Sequence, residues 1–265
     1  MYKDYWGLIE YPFENLPNPG YLYKSPLHEE ALTRLIYAIE SRKGAAMLTG
    51  EIGCGKTTIS RLLVQRLVKR NYQIALIENP CLESEDFLRE ILYQFGMETT
   101  NESRREMIHR LNDHLYQNLN EGKNSVIIVD EAQLINSEHT FEELRLLLNF
   151  QLNDRFLLTL ILIGQPELKE KIEHITQLNQ RIAIRYHLQA LDVKEMVKFI
   201  FFRLKKAGAR RNMFTNDALR KIYDFSCGIP RKINNICDLS LLIGCGESVN
   251  FINSAIVEKS AHGSL

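Results

Sequence analysis

The chain has 265 residues, with 33 lysines and arginines balanced by 33 aspartates and glutamates, a length that favours one large domain or a large and a small one. The even charge gives no overall signal for a polyanionic partner, and five cysteines without a CxxC pair argue against a disulfide scaffold or a zinc ribbon. The N-terminus lacks the apolar core of a signal peptide, and the longest apolar run is far shorter than the ~20 residues that span a bilayer. We therefore expect a cytoplasmic protein.

The first 25 residues are rich in proline, tyrosine, phenylalanine and asparagine. This composition predicts an ordered aromatic arm rather than a helix. The helical spacing of Leu32, Leu35, Ile36 and Ile39 then predicts a helix that closes at Gly44.

After Gly44, short apolar runs alternate with longer amphipathic segments. Five runs read as strands: AAMLT, QIALIEN, SVIIVD, LLTLILIG and IAIRYHL. Apolar strands separated by helices are typical of a parallel sheet with helices on both faces. From about Leu191 only helices are predicted, the first with Asp192 and Glu195 at capping-box spacing. We expect the arm and an α/β core over residues 1–190, and a small all-helical domain over 191–265.

One glycine-rich segment carries the strongest functional signal. Gly50, Gly55, Lys56 and Thr57 match G-x-x-x-x-G-K-[ST] between a predicted strand and a predicted helix, the context that a phosphate-binding loop (P-loop) requires. In such a loop, backbone N–H groups and the helix N-terminus bind phosphates, the lysine reaches the β- and γ-oxygens, and the threonine binds Mg²⁺. The residues predicted to contact ATP are Glu51, Ile52, Gly53, Cys54, Gly55, Lys56, Thr57 and Thr58. The thiol of Cys54 has no predicted role.

Two acids follow the apolar residues of SVIIVD. Asp130 and Glu131 lie at the carboxyl end of this strand, where ligands bind in open α/β sheets. We expect Asp130 to hold Mg²⁺ through water and Glu131 to orient or deprotonate the attacking water. Two solvated acids would be the simpler interpretation of this pair alone, but its combination with the P-loop favours the catalytic one.

Gln165 follows LLTLILIG. In the sheet order expected for P-loop ATPases, that strand lies between the P-loop strand and the Asp130 strand. Gln165 could then reach the γ-phosphate or the attacking water. A loop glutamine without a catalytic role is the alternative.

Two arginines are candidates for neutralising charge on the transferred phosphoryl group. Arg231 begins a helix of the predicted second domain and could move onto the phosphates with that domain. Arg181 precedes the fifth strand and could point at the nucleotide of a neighbouring subunit, with Arg185 as its substitute. Surface salt bridges are the alternative for Arg231 and Arg181.

The remaining polar residues give weaker signals. Lys205, Lys206, Arg210 and Arg211 cluster at the end of the first C-terminal helix, where cations ordinarily complement the helix dipole. A solvated face is favoured there over a nucleic-acid contact. The seven histidines show no metal-binding spacing.

Taken together, these motifs identify a family. The chain resembles the AAA+ ATPases of the ExeA/GspA general-secretion type along almost its whole length. The segments that carry the resemblance are YWGLIEYPFENLPNPGYLYKSPLHEEAL, LTGEIGCGKTT, DEAQ at 130–133, LRLLLNFQ, LIGQPEL, QLNQRIAIRYHL and GIPRKINNIC.

The resemblance implies a five-stranded AAA+ core and a helical lid with nucleotide held between them, and an oligomer in which Arg181 acts in trans. It also implies that the arm from about Phe13 to Tyr23 borders the adenine. Secretion-type members commonly continue into a membrane span and a periplasmic peptidoglycan-binding part. We expect a short relative or part of a longer protein, which could associate with the membrane through partners or such a part.

The expected function is ATP hydrolysis that drives an oligomeric secretion-pathway motor, with secretin or pilus assembly proteins as partners. Two alternatives stay open. One is an ATP-dependent DNA-binding regulator like the related transposition ATPases, which the neutral charge disfavours weakly. The other is a nucleotide-gated interaction switch with little turnover.

Overall fold

The computed structural model describes residues 2–15, 21, 23–99 and 102–263, the last two without their side chains. The chain divides into two compact units. We call His28–Gly50 together with Lys56–Leu188 the sheet unit, and the described residues of Met1–Leu27, Glu51–Gly55 and Gln189–Leu265 the helical unit. The arm is thus grouped with the C-terminal helices, although the sequence places it with the core. The domain boundary after residue 190 stays a prediction.

Five parallel strands form the sheet, as predicted. They are β1 Ala45–Gly50, β2 Tyr72–Ile77, β3 Asn124–Val129, β4 Leu158–Gly164 and β5 Ile182–Leu188, in the order β2-β3-β4-β1-β5. The position of β4 between β1 and β3 confirms the predicted order. Thr49 pairs with Gly164, and Val129 pairs with Leu162, so the carboxyl ends of these three strands lie at one edge of the sheet.

Twelve helices occur in the described residues. They are α1 Tyr2–Trp6, α2 Pro26–Glu40, α3 Lys56–Val68, α4 Ser84–Gln94, α5 Arg104–Asn120, α6 Glu138–Leu147, α7 Glu167–His174, α8 Thr176–Asn179, α9 Val193–Lys206, α10 Asn216–Ser226, α11 Pro230–Gly246 and α12 Ser254–Gly263. A short 3₁₀ helix covers Ala132–Leu134. None of these helices combines the length and the apolar character needed to cross a membrane.

The core of the sheet unit is built on the central strands. Every residue of β1 and β4 is buried, and so are five of the six residues of β3. Strands buried on both faces need cover on both sides. On one face, Phe87 of α4, Leu111 of α5 and Leu144 of α6 pack in one cluster with apolar residues of the strands. Helix α3 contacts β1, β2 and β4. This packing fixes the sheet edge at which the candidate site lies.

The prediction that the arm contains no helix is wrong at α1. Trp6 donates its indole N–H to the carbonyl of Leu241 at 2.9 Å, and the hydroxyl of Tyr2 donates to Asp238. Both rings are buried among the C-terminal helices. This tertiary packing orders five residues that are too few to form a stable helix alone.

Candidate functional site

The loop between β1 and α3 has the conformation that its glycines permit. Gly53 and Gly55 have φ angles of +84° and +99°, in a region that side chains with a Cβ rarely adopt. A Cβ on Gly50 would lie 2.8 Å from the carbonyl oxygen of Leu188. The glycine positions of the motif therefore follow from steric requirements of this structure.

Lys56 is the first residue of α3 and is buried. Its Nζ donates to the carbonyl oxygen of Gly50 at 2.8 Å. The cation thus lies at the carboxyl end of β1, as the motif predicts. Its contact with phosphate stays a prediction.

The other predicted loop residues are arranged as follows. The N–H of Cys54 donates to the carbonyl of Glu51 at 3.2 Å, and the Cys54 side chain is buried. Ile52 is 59% exposed, and Thr58 is half-buried in the first turn of α3. A buried thiol and an exposed isoleucine fit a loop that binds through its backbone.

Asp130 and Thr57 lie side by side at the sheet edge. Asp130 is buried, and its carboxylate accepts from the hydroxyl of Thr57 and, at 3.0 Å, from the N–H of Glu131. Burial raises the pKa of Asp130 despite these two donors and the positive charge of Lys56. Carboxylate and hydroxyl oxygens are hard ligands of the kind that Mg²⁺ binds, so these two residues fit that cation.

Glu131 has a backbone conformation that is uncommon for glutamate. Its φ and ψ angles are 51° and 38°, in the left-handed region that costs an L-residue about 1–2 kcal/mol. Strain of this kind concentrates at functional sites. The turn that follows contains Gln133, whose Nε2 donates to Glu131 Oε2 at 2.6 Å.

Gln165 lies close to Glu131, while its expected contact with the γ-phosphate or the attacking water stays a prediction. Its Nε2 lies 3.5 Å from Glu131 Oε2, and its backbone N–H donates to Gln133 Oε1 at 3.0 Å. The sequence analysis assigned no role to Gln133. The only signal for it was its place in the DEAQ segment.

The predicted arginines have partners within their own units. The backbone N–H of Arg231, near the start of α11, donates to the carbonyl of Gly53 at 3.3 Å, and its side chain is exposed. Arg181 donates to Leu148 O and Asn149 Oδ1, each at 2.7 Å. Arg185 donates to the carbonyl of Asn179 at 2.7 Å. The structure therefore brings Arg231 to the loop, and the roles of all three side chains in catalysis stay predictions.

Comparison with protein families gives a match to the model described as AAA domain, over residues 39–172. This range, about half of the chain, contains the P-loop, Asp130, Glu131 and Gln165.

Two curated proteins are similar to the chain. General secretion pathway protein A of Aeromonas hydrophila is 43% identical over 245 residues, which are 91% of this chain and 44% of that protein. DNA polymerase III subunit gamma of Buchnera aphidicola is 25% identical over 73% of this chain and 50% of that protein. The chain thus spans half or less of the length of these relatives.

Solved structures share the fold at low identity. The Aeropyrum pernix ORC2 protein superimposes with a TM-score of 0.66 at 19% identity, over 95% of this chain and 71% of that one. Drosophila ORC bound to DNA gives a TM-score of 0.67 at 19% identity, over 90% of this chain and 61% of that one. With the P-loop geometry, the sheet order and the family match in agreement, the chain belongs to the AAA domain family and is similar to General secretion pathway protein A.

Proposed function

We propose that the chain binds ATP with Mg²⁺ at the P-loop and hydrolyses it to ADP and phosphate. One observation carries this proposal: Lys56, Thr57, Asp130, Glu131 and Gln165 come from three different strand ends and meet at one edge of the sheet. A cation, a hydroxyl, two carboxylates and an amide at such an edge are the groups that phosphoryl transfer to water requires.

Each group has a separate task. Backbone N–H groups of residues 51–58 and the ammonium of Lys56 bind the phosphates. Thr57 and Asp130 would hold Mg²⁺, which when bound neutralises charge on the β- and γ-oxygens. Glu131 orients a water for attack on the γ-phosphorus and accepts its proton as the bond to the ADP oxygen breaks. Gln165 contacts the water or the γ-phosphate, and Arg231 and Arg181 neutralise developing charge.

The relative with 43% identity supports a proposal for the biological setting. We propose that the chain works as an oligomer, with Arg181 reaching the nucleotide of a neighbouring copy, in a secretion pathway such as type II secretion, secretin or pilus assembly. Its place is the cytoplasmic side, at the membrane through partner proteins. Similarity to General secretion pathway protein A over most of this chain supports that setting.

ATP binding is tested without turnover. Calorimetric titration with ATP and Mg²⁺ should give a dissociation constant that rises at least ~10-fold in Lys56→Ala, since the lysine contributes directly to phosphate binding. Lys169→Ala is the matched control, because its side chain is 62% exposed on α7. Equal affinity in Lys56→Ala and Lys169→Ala would refute nucleotide binding at this loop.

One observation favours DNA binding as a second candidate. Lys205, Lys206, Arg210 and Arg211 are all exposed, and the guanidinium of Arg211 lies 5.5 Å from the ring centre of Phe251. Exposed cations beside an aromatic ring suit nucleic-acid backbone and base contacts. Duplex retention that requires ATP, weakens with salt and is lost in Arg210→Ala would support it. No retention at low salt would remove this candidate.

The rate of ATP hydrolysis distinguishes the nucleotide-gated switch from a motor. ATP binding with hydrolysis no faster than in Glu131→Gln would favour a switch over a motor.

A further inference from the structure

Gln133 connects two strand ends through its side-chain amide. Its Oε1 accepts from the backbone N–H of Gln165 at 3.0 Å, and its Nε2 donates to Glu131 Oε2 at 2.6 Å. Glu131 follows β3, and Gln165 follows β4. Gln133 is buried, with 8% of the residue exposed, so water competes little for either hydrogen bond.

The orientation of this amide is determined by chemistry. A backbone N–H can only donate, so the oxygen of the Gln133 amide must face Gln165. The NH₂ group then faces Glu131, and a carboxylate is the acceptor that suits it. In the reverse orientation, the NH₂ group of Gln133 would face the backbone N–H of Gln165, and neither group could accept a hydrogen bond.

The surroundings hold the amide in place. Lys171 Nζ donates to the carbonyl oxygens of Gln133 and Ile135, at 2.6 and 3.0 Å, and so anchors the turn to α7. A Cβ on Gly164 would lie 2.7 Å from Gln133 Oε1. The glycine that ends β4 therefore leaves the space that the amide occupies.

We propose that Gln133 is a positioning residue, which fixes the direction of the Glu131 carboxylate by tying it to the end of β4. The proposal rests on the proposed function of Glu131 in ATP hydrolysis. A glutamate side chain has several rotamers, and an amide donor aligned by a backbone hydrogen bond restricts them before the substrate arrives. The same amide also links Glu131 to Gln165, the second group expected near the γ-phosphate.

Two variants of similar size separate the two hydrogen bonds. Gln133→Glu keeps an oxygen for the Gln165 N–H but loses the donor to Glu131, and Gln133→Met loses both. In each we expect kcat to fall about 10- to 100-fold, the scale of a misplaced catalytic group. The KM for ATP should stay within about threefold, because neither variant touches the P-loop.

The chain offers a matched control. Gln94 Nε2 donates to Glu90 Oε1 at 2.8 Å on the exposed surface of α4, so Gln94→Glu makes the same replacement opposite a carboxylate away from the site. Its kcat should equal that of the parent. A kcat in Gln133→Met within about twofold of the parent, or one that falls only in proportion to a lost folded fraction in thermal melts, would overturn the proposal.

Hydrogen exchange of the Gln165 amide tests the link without any turnover. Exchange should accelerate in Gln133→Met, which removes the acceptor, and stay slow in Gln133→Glu, which retains it. Unchanged exchange in Gln133→Met would refute the link itself. A parent protein that hydrolyses ATP no faster than Glu131→Gln would instead refute the proposed function, whatever the exchange result.

Discussion

Single residues of the P-loop are constrained by backbone geometry as well as by chemistry. Gly53 has a φ angle of +84°, and a Cβ there would lie 2.7 Å from the Cβ of Arg231. Such a contact is too short for two carbons and involves a rigid part of Arg231, so the loop would have to shift. The loop conformation and the start of α11 therefore depend on a glycine at this position.

We predict that Gly53→Ala weakens ATP binding by about 10-fold or more, because a displaced loop no longer aims its N–H groups at phosphate. Gly122→Ala is the control, since Gly122 has a φ angle of +70° but an added Cβ would meet nothing within 4 Å. Both variants carry the strain of a left-handed alanine, about 1–2 kcal/mol, so a loss of ATP affinity found only in Gly53→Ala reports the contact with Arg231. Equal ATP affinity in the two variants would show that the contact with Arg231 is irrelevant to the loop.

Among the elements, α5 carries a histidine that responds to pH. Burial lowers the pKa of His114 below its ordinary value of 6.5. Its ring lies 5.4 Å from that of Phe95, and its buried Nε2 has no hydrogen-bond partner among the described residues. At a pH between the folded and unfolded pKa values, the imidazole of His114 is therefore protonated in the unfolded chain and neutral in the folded chain.

Because the pKa of His114 is lower in the folded chain than in the unfolded chain, we predict that the free energy of unfolding decreases as the pH falls through about 6.5. His114→Leu should reduce that decrease, as measured by denaturant unfolding between pH 8 and 5. The control is His109→Leu on the exposed face of the same helix, which should keep the slope of the parent. An unchanged slope in His114→Leu would contradict the assignment.

Helix α9 anchors the arm through one buried cation. Arg203 donates to the carbonyl of Glu14 at 2.8 Å and to that of Pro12, and its guanidinium lies 5.3 Å from the ring centre of Tyr21. These contacts explain why a segment rich in proline is ordered over residues 12–14.

We predict that Arg203→Met lowers the free energy of unfolding by about 1–3 kcal/mol, since two carbonyls lose a charged donor. Amide exchange at residues 13–15 should accelerate most. Lys205→Met, on the exposed side of α9, should leave both quantities unchanged. Stability and exchange equal to the parent in Arg203→Met would rule out this anchor.

How far the sequence predicts these elements depends on local signals. The buried strands could be predicted because their apolar runs and the intervening helices leave few alternatives. Helix α8 and the 3₁₀ turn were not predicted, because four and three residues carry no periodicity. The capping box predicted for α9 forms in part: Asp192 accepts from the Glu195 N–H at 2.8 Å, while the Glu195 carboxylate accepts from Tyr23 and Lys198.

The same limit applies to the site. Lys56 and Thr57 could be assigned because they belong to one loop motif. Asp130 could be assigned because it directly follows an apolar strand. Gln133 could not be assigned from spacing, because its partner Gln165 lies 32 residues away in the chain. Only the register between β3 and β4 brings the two together.

For the whole molecule, the proposed action of Arg181 in trans would make activity depend on assembly. We predict that hydrolysis per mole of protein rises with protein concentration and that Arg181→Ala lowers it at least ~10-fold without changing ATP affinity. Arg155→Ala, at an exposed turn, should behave like the parent. A specific activity independent of concentration would exclude a trans contribution.

The most direct test of hydrolysis at this site compares ATP turnover by the parent and by Glu131→Gln, with ATP affinity measured on the same preparations. We predict equal affinity and a rate at least ~100-fold lower in the variant, because the amide cannot accept the proton of the attacking water. Equal rates in the two proteins would contradict the catalytic role of Glu131 and the hydrolysis assigned to this site.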